Sequence, residues 1–209
     1  MTVRKMTVTE ILEFSKSKYK VFIDEEFAFV LYRGELRQLK ISSGSKIDKE
    51  TYERIMTEIL PKRARLRAIH LLEKKPYTEQ IMRGKLTEGL YPSHIIDDVI
   101  EYLKGYGYID DRAYVAQYFE TYAERKSVRC MERDLLRIGI DRDIIRDVAD
   151  RMSSAGELGD EEVMIRKLLE KRGFDRETAD NAKLAPTMRY LYSKGFSQDA
   201  INKVLRQDF

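Results

Sequence analysis

The spacing of apolar residues along the chain changes character once. Within residues 1–47, Tyr19-Lys20-Val21-Phe22-Ile23-Asp24 and Phe27-Ala28-Phe29-Val30-Leu31-Tyr32 are β-branched and aromatic runs separated by the acidic step Asp24-Glu25-Glu26. Such runs around a short polar step predict a hairpin, with no Asn-Gly or Asp-Gly to specify the turn type. Arg4 to Val8 offers another strand, and Gly34 and Gly44 mark turns. This stretch reads as a small β-rich cap.

From Asp48 the period becomes helical. Asp48 can cap a helix carrying Tyr52, Ile55, Met56, Ile59 and Leu60, with Glu50 and Glu53 in its early turns. Pro61 breaks or restarts that helix. Ala64, Ala68, Leu71 and Leu72 then recur at helical spacing, and helices continue to the C-terminus between short loops marked by Pro76, Gly89, Gly105 to Asp111, Gly139, Gly156 to Asp160, Gly173 and Gly195.

Three of these glycines sit in one recurring phrase. Leu86-Thr87-Glu88-Gly89-Leu90 precedes Ile95, Ile96 and Val99; Leu136-Arg137-Ile138-Gly139-Ile140 precedes Ile144, Ile145 and Val148; Tyr192-Ser193-Lys194-Gly195-Phe196 precedes Ala200, Ile201 and Val204. The glycines are 50 and 56 residues apart, and the first copy holds an extra residue in its Tyr91-Pro92-Ser93 loop. Each copy predicts a helix ending at a glycine able to adopt positive φ, an apolar residue tucked under the turn, and a new helix starting near an Asp or Ser cap. Three tandem units of three short helices follow, each burying a face that one unit alone could not. The predicted architecture is mainly α: an elongated curved array of three three-helix repeats behind the β-rich cap. Its boundaries are 1–47 for the cap, 48–109 for an entry helix and the first repeat, 110–156 for the second and 157–209 for the third.

Composition narrows the classes of function. Of 209 residues, 36% are charged and 43% hydrophobic, enough for a core and arguing against disorder. No run approaches the length of a membrane helix, and the N-terminus lacks the features of a secretory signal, so a cytoplasmic location is expected. Cys130 is the only cysteine, and His70 and His94 are the only histidines, which leaves little material for disulfides, Cys/His zinc sites or histidine-based catalysis.

The stretch Tyr102-Leu103-Lys104-Gly105-Tyr106-Gly107-Tyr108-Ile109-Asp110-Asp111-Arg112-Ala113-Tyr114 resembles the signature of the RecX regulatory proteins, in which a Gly-Tyr/Phe-Ile/Leu-Asp-Asp step joins the first two helical repeats. Arg67-Ala68-Ile69-His70-Leu71-Leu72, Tyr77-Thr78-Glu79-Gln80-Ile81, Leu135-Leu136-Arg137-Ile138-Gly139-Ile140 and Leu191-Tyr192-Ser193-Lys194-Gly195-Phe196-Ser197 match its successive repeats. The apolar runs of the cap resemble an N-terminal extension found in many members. One departure is Ala182 to Met188, where Pro186 interrupts the expected helix entry. The resemblance implies a protein with no reaction of its own that binds the RecA recombinase and its filament on single- or double-stranded DNA and modulates it, usually by inhibition. Such a protein acts in recombination, DNA repair and the SOS response. No cofactor, metal or membrane partner is implied, and a monomer is the expected state.

Charge suggests where such a partner would be met. The formal net charge is only +3, yet residues 61–85 hold eight bases, Lys62, Arg63, Arg65, Arg67, Lys74, Lys75, Arg83 and Lys85, against Glu73 and Glu79. At about 100° per residue, Arg63, Arg67, His70 and Lys74 form one basic ridge beside the apolar stripe of Ala64, Ala68, Leu71 and Leu72. The ridge could neutralise phosphates by counterion release, or be an ordinary solvated helix face. A weaker group, Arg125, Lys126, Arg129 and Arg133, lies in the second repeat, where Glu124, Glu132 and Asp134 could pair with it. With the resemblance, Lys62, Arg63, Arg67, Lys74, Lys75, Arg83, Lys85, Arg125, Lys126 and Arg129 become the expected contacts to DNA or the filament.

Other constellations favour structural roles. Tyr114, Tyr118 and Tyr122 beside Phe119 could be a base-stacking ladder, but aromatic stripes at helical spacing more often pack inward. Tyr102, Tyr106 and Tyr108 are expected to close the joint between repeats. Asp110 or Asp111 suits a helix cap better than a metal ligand, and Asp97-Asp98 lacks a third ligand at a supporting spacing. Cys130 reads as a quiet buried thiol, with a lowered pKa conceivable beside Arg129 and Arg133. No catalytic residues are expected. Two rival functions remain: a sequence-selective transcription regulator using one repeat as a helix-turn-helix, and an adaptor whose basic ridge meets acidic protein surface.

Overall fold

A computed structural model describes residues 6–174 and 181–206 of the chain. Arg4 and Lys5 of the predicted first strand lie outside the described residues. Strands β1 (Met6–Ser15), β2 (Lys18–Ile23) and β3 (Glu26–Tyr32) form an antiparallel meander, and β4 (Lys46–Ile47) pairs with the start of β1, giving the order β3-β2-β1-β4. The Asp24-Glu25 turn takes positive φ at both residues, which fits the right-handed twist of the flanking strands without a glycine. Helix α1 (Arg33–Gln38) follows β3 and places Gly34 inside a helix, where a turn was expected; Gly44 does turn, with φ +79°.

Helix α2 (Lys49–Arg54) is capped by Asp48, whose carboxylate accepts from the Thr51 N–H at 2.7 Å. Pro61 restarts the helix rather than breaking it. Residues Ile55–Ile59 wind as a wider π turn and lead directly into α3 (Leu60–Leu72), with Pro61 in its first turn. Proline lacks an N–H and crowds the carbonyl one turn back, so loosened winding just ahead of it accommodates the ring.

Helices α4 (Glu79–Thr87) and α5 (Ser93–Gly105) complete the first three-helix group. The second is α6 (Asp111–Tyr122), α7 (Val128–Arg137) and α8 (Arg142–Ser154), and the third is α9 (Glu161–Lys171), α10 (Asn181–Ser193) and α11 (Gln198–Arg206). Helix α10 runs across Pro186, so the expected interruption there does not occur. The recurring phrase ends helices by one device. Ile140 N–H returns to the Leu135 carbonyl at 3.3 Å and Phe196 N–H to the Leu191 carbonyl at 3.3 Å, around Gly139 and Gly195 at φ +82° and +84°. The first copy differs: Leu90 takes the positive φ, and Gly89 instead gives room to the Tyr91 ring, 2.8 Å from where a Cβ would stand.

By their contacts the described residues form two compact units, dividing between Ile109 and Asp110. In the first, the inner face of the sheet and the helices share one core. Val8, Val21, Phe29 and Leu31 pack with Ile55, Leu60, Ala64, Ala68, Met82, Leu86, Val99 and Leu103. The second unit holds two clusters, one around Val115, Phe119, Met131 and Leu135, the other around Ile165, Leu191, Phe196 and Ile201. Ser127 links these two groups: its buried hydroxyl caps α7 by accepting from Cys130 N–H and donates to the Lys194 carbonyl at 3.0 Å.

Candidate nucleic-acid interface

The basic ridge expected on α3 is not free. Arg63 turns inward to the sheet, donating from Nη1 to Glu35 Oε2 at 2.7 Å, from Nη2 to the Val30 carbonyl at 2.6 Å and from Nε to the Tyr91 hydroxyl at 3.3 Å. Its guanidinium also lies over the rings of Tyr32 and Tyr91. Burial pushes the Tyr91 phenol up, against the opposing charge of Arg63. Arg67 is half-buried, reaching toward the Lys85 carbonyl at 3.5 Å. Arg83 is held between Asp97 and Glu79, and the hydrogen bond from Lys104, with Arg83 adding to it, keeps the Glu79 carboxyl below the usual carboxylate range. Lys85 pairs with Glu88 at 3.0 Å.

Four of the seven cations expected in this region are thus engaged by protein, while Lys62, Lys74 and Lys75 stand exposed, Lys75 over the Tyr77 ring. A helical wheel gives the direction of a side chain, whereas the partner of Arg63 is Glu35, 28 residues earlier in the chain. Asp97, read as a conceivable metal ligand, serves instead as the partner of Arg83.

The middle group divides similarly. Lys126 donates to Asp134 Oδ2 and to the Tyr118 hydroxyl, both at 2.8 Å, and lies over the Tyr122 ring. The Asp134 hydrogen bond, then that of Tyr118, raises the Lys126 ammonium above the ordinary lysine range, and Lys126 in turn lowers Asp134. Tyr114, Tyr118 and Tyr122 pack against the second core around the buried Phe119. Asp110 caps α6, accepting from the Ala113 N–H at 3.0 Å. Cys130 is half-buried in the first turn of α7, with an Arg133 nitrogen 3.5 Å from Sγ. Tyr106 and Tyr108 are 68% and 55% exposed.

Arg129 is exposed, and Arg125 reaches a cation cluster that spacing alone did not assemble. Arg125 lines a cleft of about 270 Å³ with Lys167 and Lys171 of α9, together with Glu124, Met164 and Leu168. Among the described residues no carboxylate forms an ion pair with any of the three cations. Gly159 sets this approach: its Cα lies so close to the end of α6 that a Cβ would stand 2.7 Å from the Ala123 carbonyl oxygen. The i, i+4 spacing of Lys167 and Lys171 was a usable signal of a shared face. Three positive charges against the single lining carboxylate of Glu124 can hold phosphate oxygens without reading a base.

Among the described residues, no group of three or more His, Cys, Asp or Glu side chains could hold a metal ion, and no helix is long and apolar enough to cross a membrane. Three-helix groups in tandem behind an N-terminal sheet define a helical-repeat protein. The profile of the RecX first three-helix domain matches residues 64–103, and that of the RecX third three-helix domain matches 160–205. The chain is 30% identical over 203 residues to the regulatory protein RecX of Caldanaerobacter subterraneus subsp. tengcongensis, covering 96% of this chain and 98% of that one. It is 28% identical over 206 residues to the regulatory protein RecX of Clostridium perfringens strain SM101, covering 97% and 95%. A crystal structure of a regulatory protein RecX superposes with a TM-score of 0.63 at 22% identity, covering 97% of this chain and 100% of that one. RecX from Lactobacillus salivarius gives 0.59 at 20%, covering 71% and 96%. The chain belongs to the RecX family of regulatory proteins, as its Gly105 to Tyr114 stretch suggested.

Proposed function

We propose that this protein binds the RecA recombinase and its DNA filament and restrains strand exchange and ATP turnover without catalysing a reaction itself. Membership of the RecX family over nearly the whole chain supports the partner. The observation that carries the mode of binding is the cleft of Arg125, Lys167 and Lys171, whose charges are exposed and form no ion pair with a carboxylate among the described residues. Several weak contacts from successive three-helix groups would combine on a repeating filament, so affinity requires no deep pocket.

Titrating RecA strand exchange and DNA-dependent ATP hydrolysis with the protein at two salt concentrations tests this reading. Both activities should fall as the protein is added, and unchanged activities at saturation would sink the proposal. Replacing Arg125, Lys167 and Lys171 with Ala should lower the slope of log affinity for DNA against log salt by about two to three. An unchanged slope would redirect the reading to an adaptor that meets only protein, and sequence-selective duplex binding without RecA would redirect it to a transcription regulator.

A further inference from the structure

Helix α5 ends in a run of tyrosines that the cores do not absorb. Tyr102 and Tyr106 have ring centroids 4.7 Å apart, and Tyr106 and Tyr108 stack at 6.1 Å with only 21° between their planes. Gly107 makes this possible: at φ +70° it reverses the chain, its N–H returning to the Lys104 carbonyl and that of Tyr108 to the Leu103 carbonyl. Two residues that would diverge on a continued helix are thereby set side by side. The inner end of the series is closed by Arg65, whose guanidinium lies 4.9 Å from the Tyr102 centroid. The outer rings are open, with Tyr106 68% and Tyr108 55% exposed.

Their exposure excludes a core role, and contiguous exposed rings, unlike scattered apolar residues, mark an interaction surface. The chemistry of the patch selects its occupant. It presents flat π faces rather than an aliphatic groove, Leu66 being the exposed aliphatic residue beside Arg65 in sequence. Arg65 and Lys62, one turn apart on α3, are exposed and able to meet phosphates, while Asp98 and Glu101 on α5 limit the net charge and with it purely electrostatic binding. Flat faces for bases with nearby cations for the backbone are the combination that holds unpaired nucleotides without sequence preference.

We propose that Tyr106 and Tyr108, backed by Tyr102 and Arg65, form a stacking platform for unpaired bases of single-stranded nucleic acid. This rests on the proposed action at a DNA filament and adds which strand state is recognised and by which side chains. The test compares the full chain with a Tyr106→Ala/Tyr108→Ala variant and a Tyr106→Phe/Tyr108→Phe variant. Each is titrated onto oligothymidylate and onto an abasic strand of equal length and charge, and each is added to RecA strand exchange. The wild type should prefer oligothymidylate, the alanine variant should lose about tenfold in affinity for it with an unchanged salt slope, and the phenylalanine variant should bind like wild type. All three should share one unfolding midpoint, since the rings are exposed.

Equal affinity for both strands in the wild type, or no loss in the alanine variant, overturns the platform. If the alanine variant keeps its strand affinity but no longer restrains RecA, the rings dock protein; the platform is then wrong while the proposed function stands. If the wild type discriminates the strands as expected but leaves RecA unaffected, the proposed function fails and the platform survives.

Discussion

Arg63 ties two layers of the first unit together with a single side chain. Its guanidinium meets Glu35, the Val30 carbonyl and Tyr91, with the Arg63 and Glu35 side chains 15% and 22% exposed. Replacing it with Ala strands Glu35, which also accepts from the Tyr32 N–H at the start of α1. Arg63→Ala should cost about 2–3 kcal/mol, somewhat less than breaking a fully buried pair, and Arg63→Lys should restore little because a point charge cannot repeat the fork. Denaturant unfolding measures the loss, and the salt slope of DNA binding should remain that of wild type. Gly195 is decisive for a different reason. A Cβ there would stand 2.6 Å from Ser127 Oγ and 3.2 Å from Cys130 Cβ, at φ +84°. Gly173 has φ +61° and open space around it. Gly173→Ala should therefore cost about 1 kcal/mol from backbone strain alone, and Gly195→Ala distinctly more because the Ser127 link between two helix groups must shift. Equal losses in the two variants would mean that the contact at Ser127 has no energetic weight.

At the level of elements, helix ends carry most of the organisation. Side chains of Asp48, Thr78, Asp110, Ser127, Asp141 and Asp160 each accept from an N–H in the turn they start. The starts at Asp48 and Asp110 were legible because capping depends on a residue and its immediate neighbours. In the pairing of α6 with α7, Asp134 was among the carboxylates expected to meet the cation group around Lys126, whereas the Tyr118 hydroxyl that also accepts from Lys126 was not. The pH response of this pairing follows from the direction of each shift. Asp134 has a depressed folded value, so its contribution is complete above the ordinary carboxylate value of about 3.9 and disappears as pH falls through the lower folded value. Lys126 is raised, so its contribution is complete below about 10.4 and disappears as pH rises through the higher folded value. Asp134→Asn should flatten the acid limb of the unfolding midpoint against pH and should also weaken the alkaline limb by removing the main partner of Lys126.

For the molecule as a whole, the division at Ile109 and Asp110 has a direct consequence. Fragments ending and beginning there should each unfold cooperatively by calorimetry, because each keeps whole hydrophobic clusters. A fragment of residues 110–156 should lack such a transition, having lost the third cluster and the Ser127 bond to Lys194. The sequence alone determined what short-range chemistry carries: the helical period after Asp48, the helix stops at Gly139 and Gly195, the caps at Asp48 and Asp110, and the family through the stretch around Tyr108. Tertiary structure decided which charges and rings remain available. Arg63 and Lys126 resemble Lys74 and Arg125 in any local window, yet the first two are engaged by carboxylates and the others face water. Electrostatic partners are chosen by proximity in space, and proximity between α1 and α3, or between α9 and the end of α6, exists only once the chain has folded.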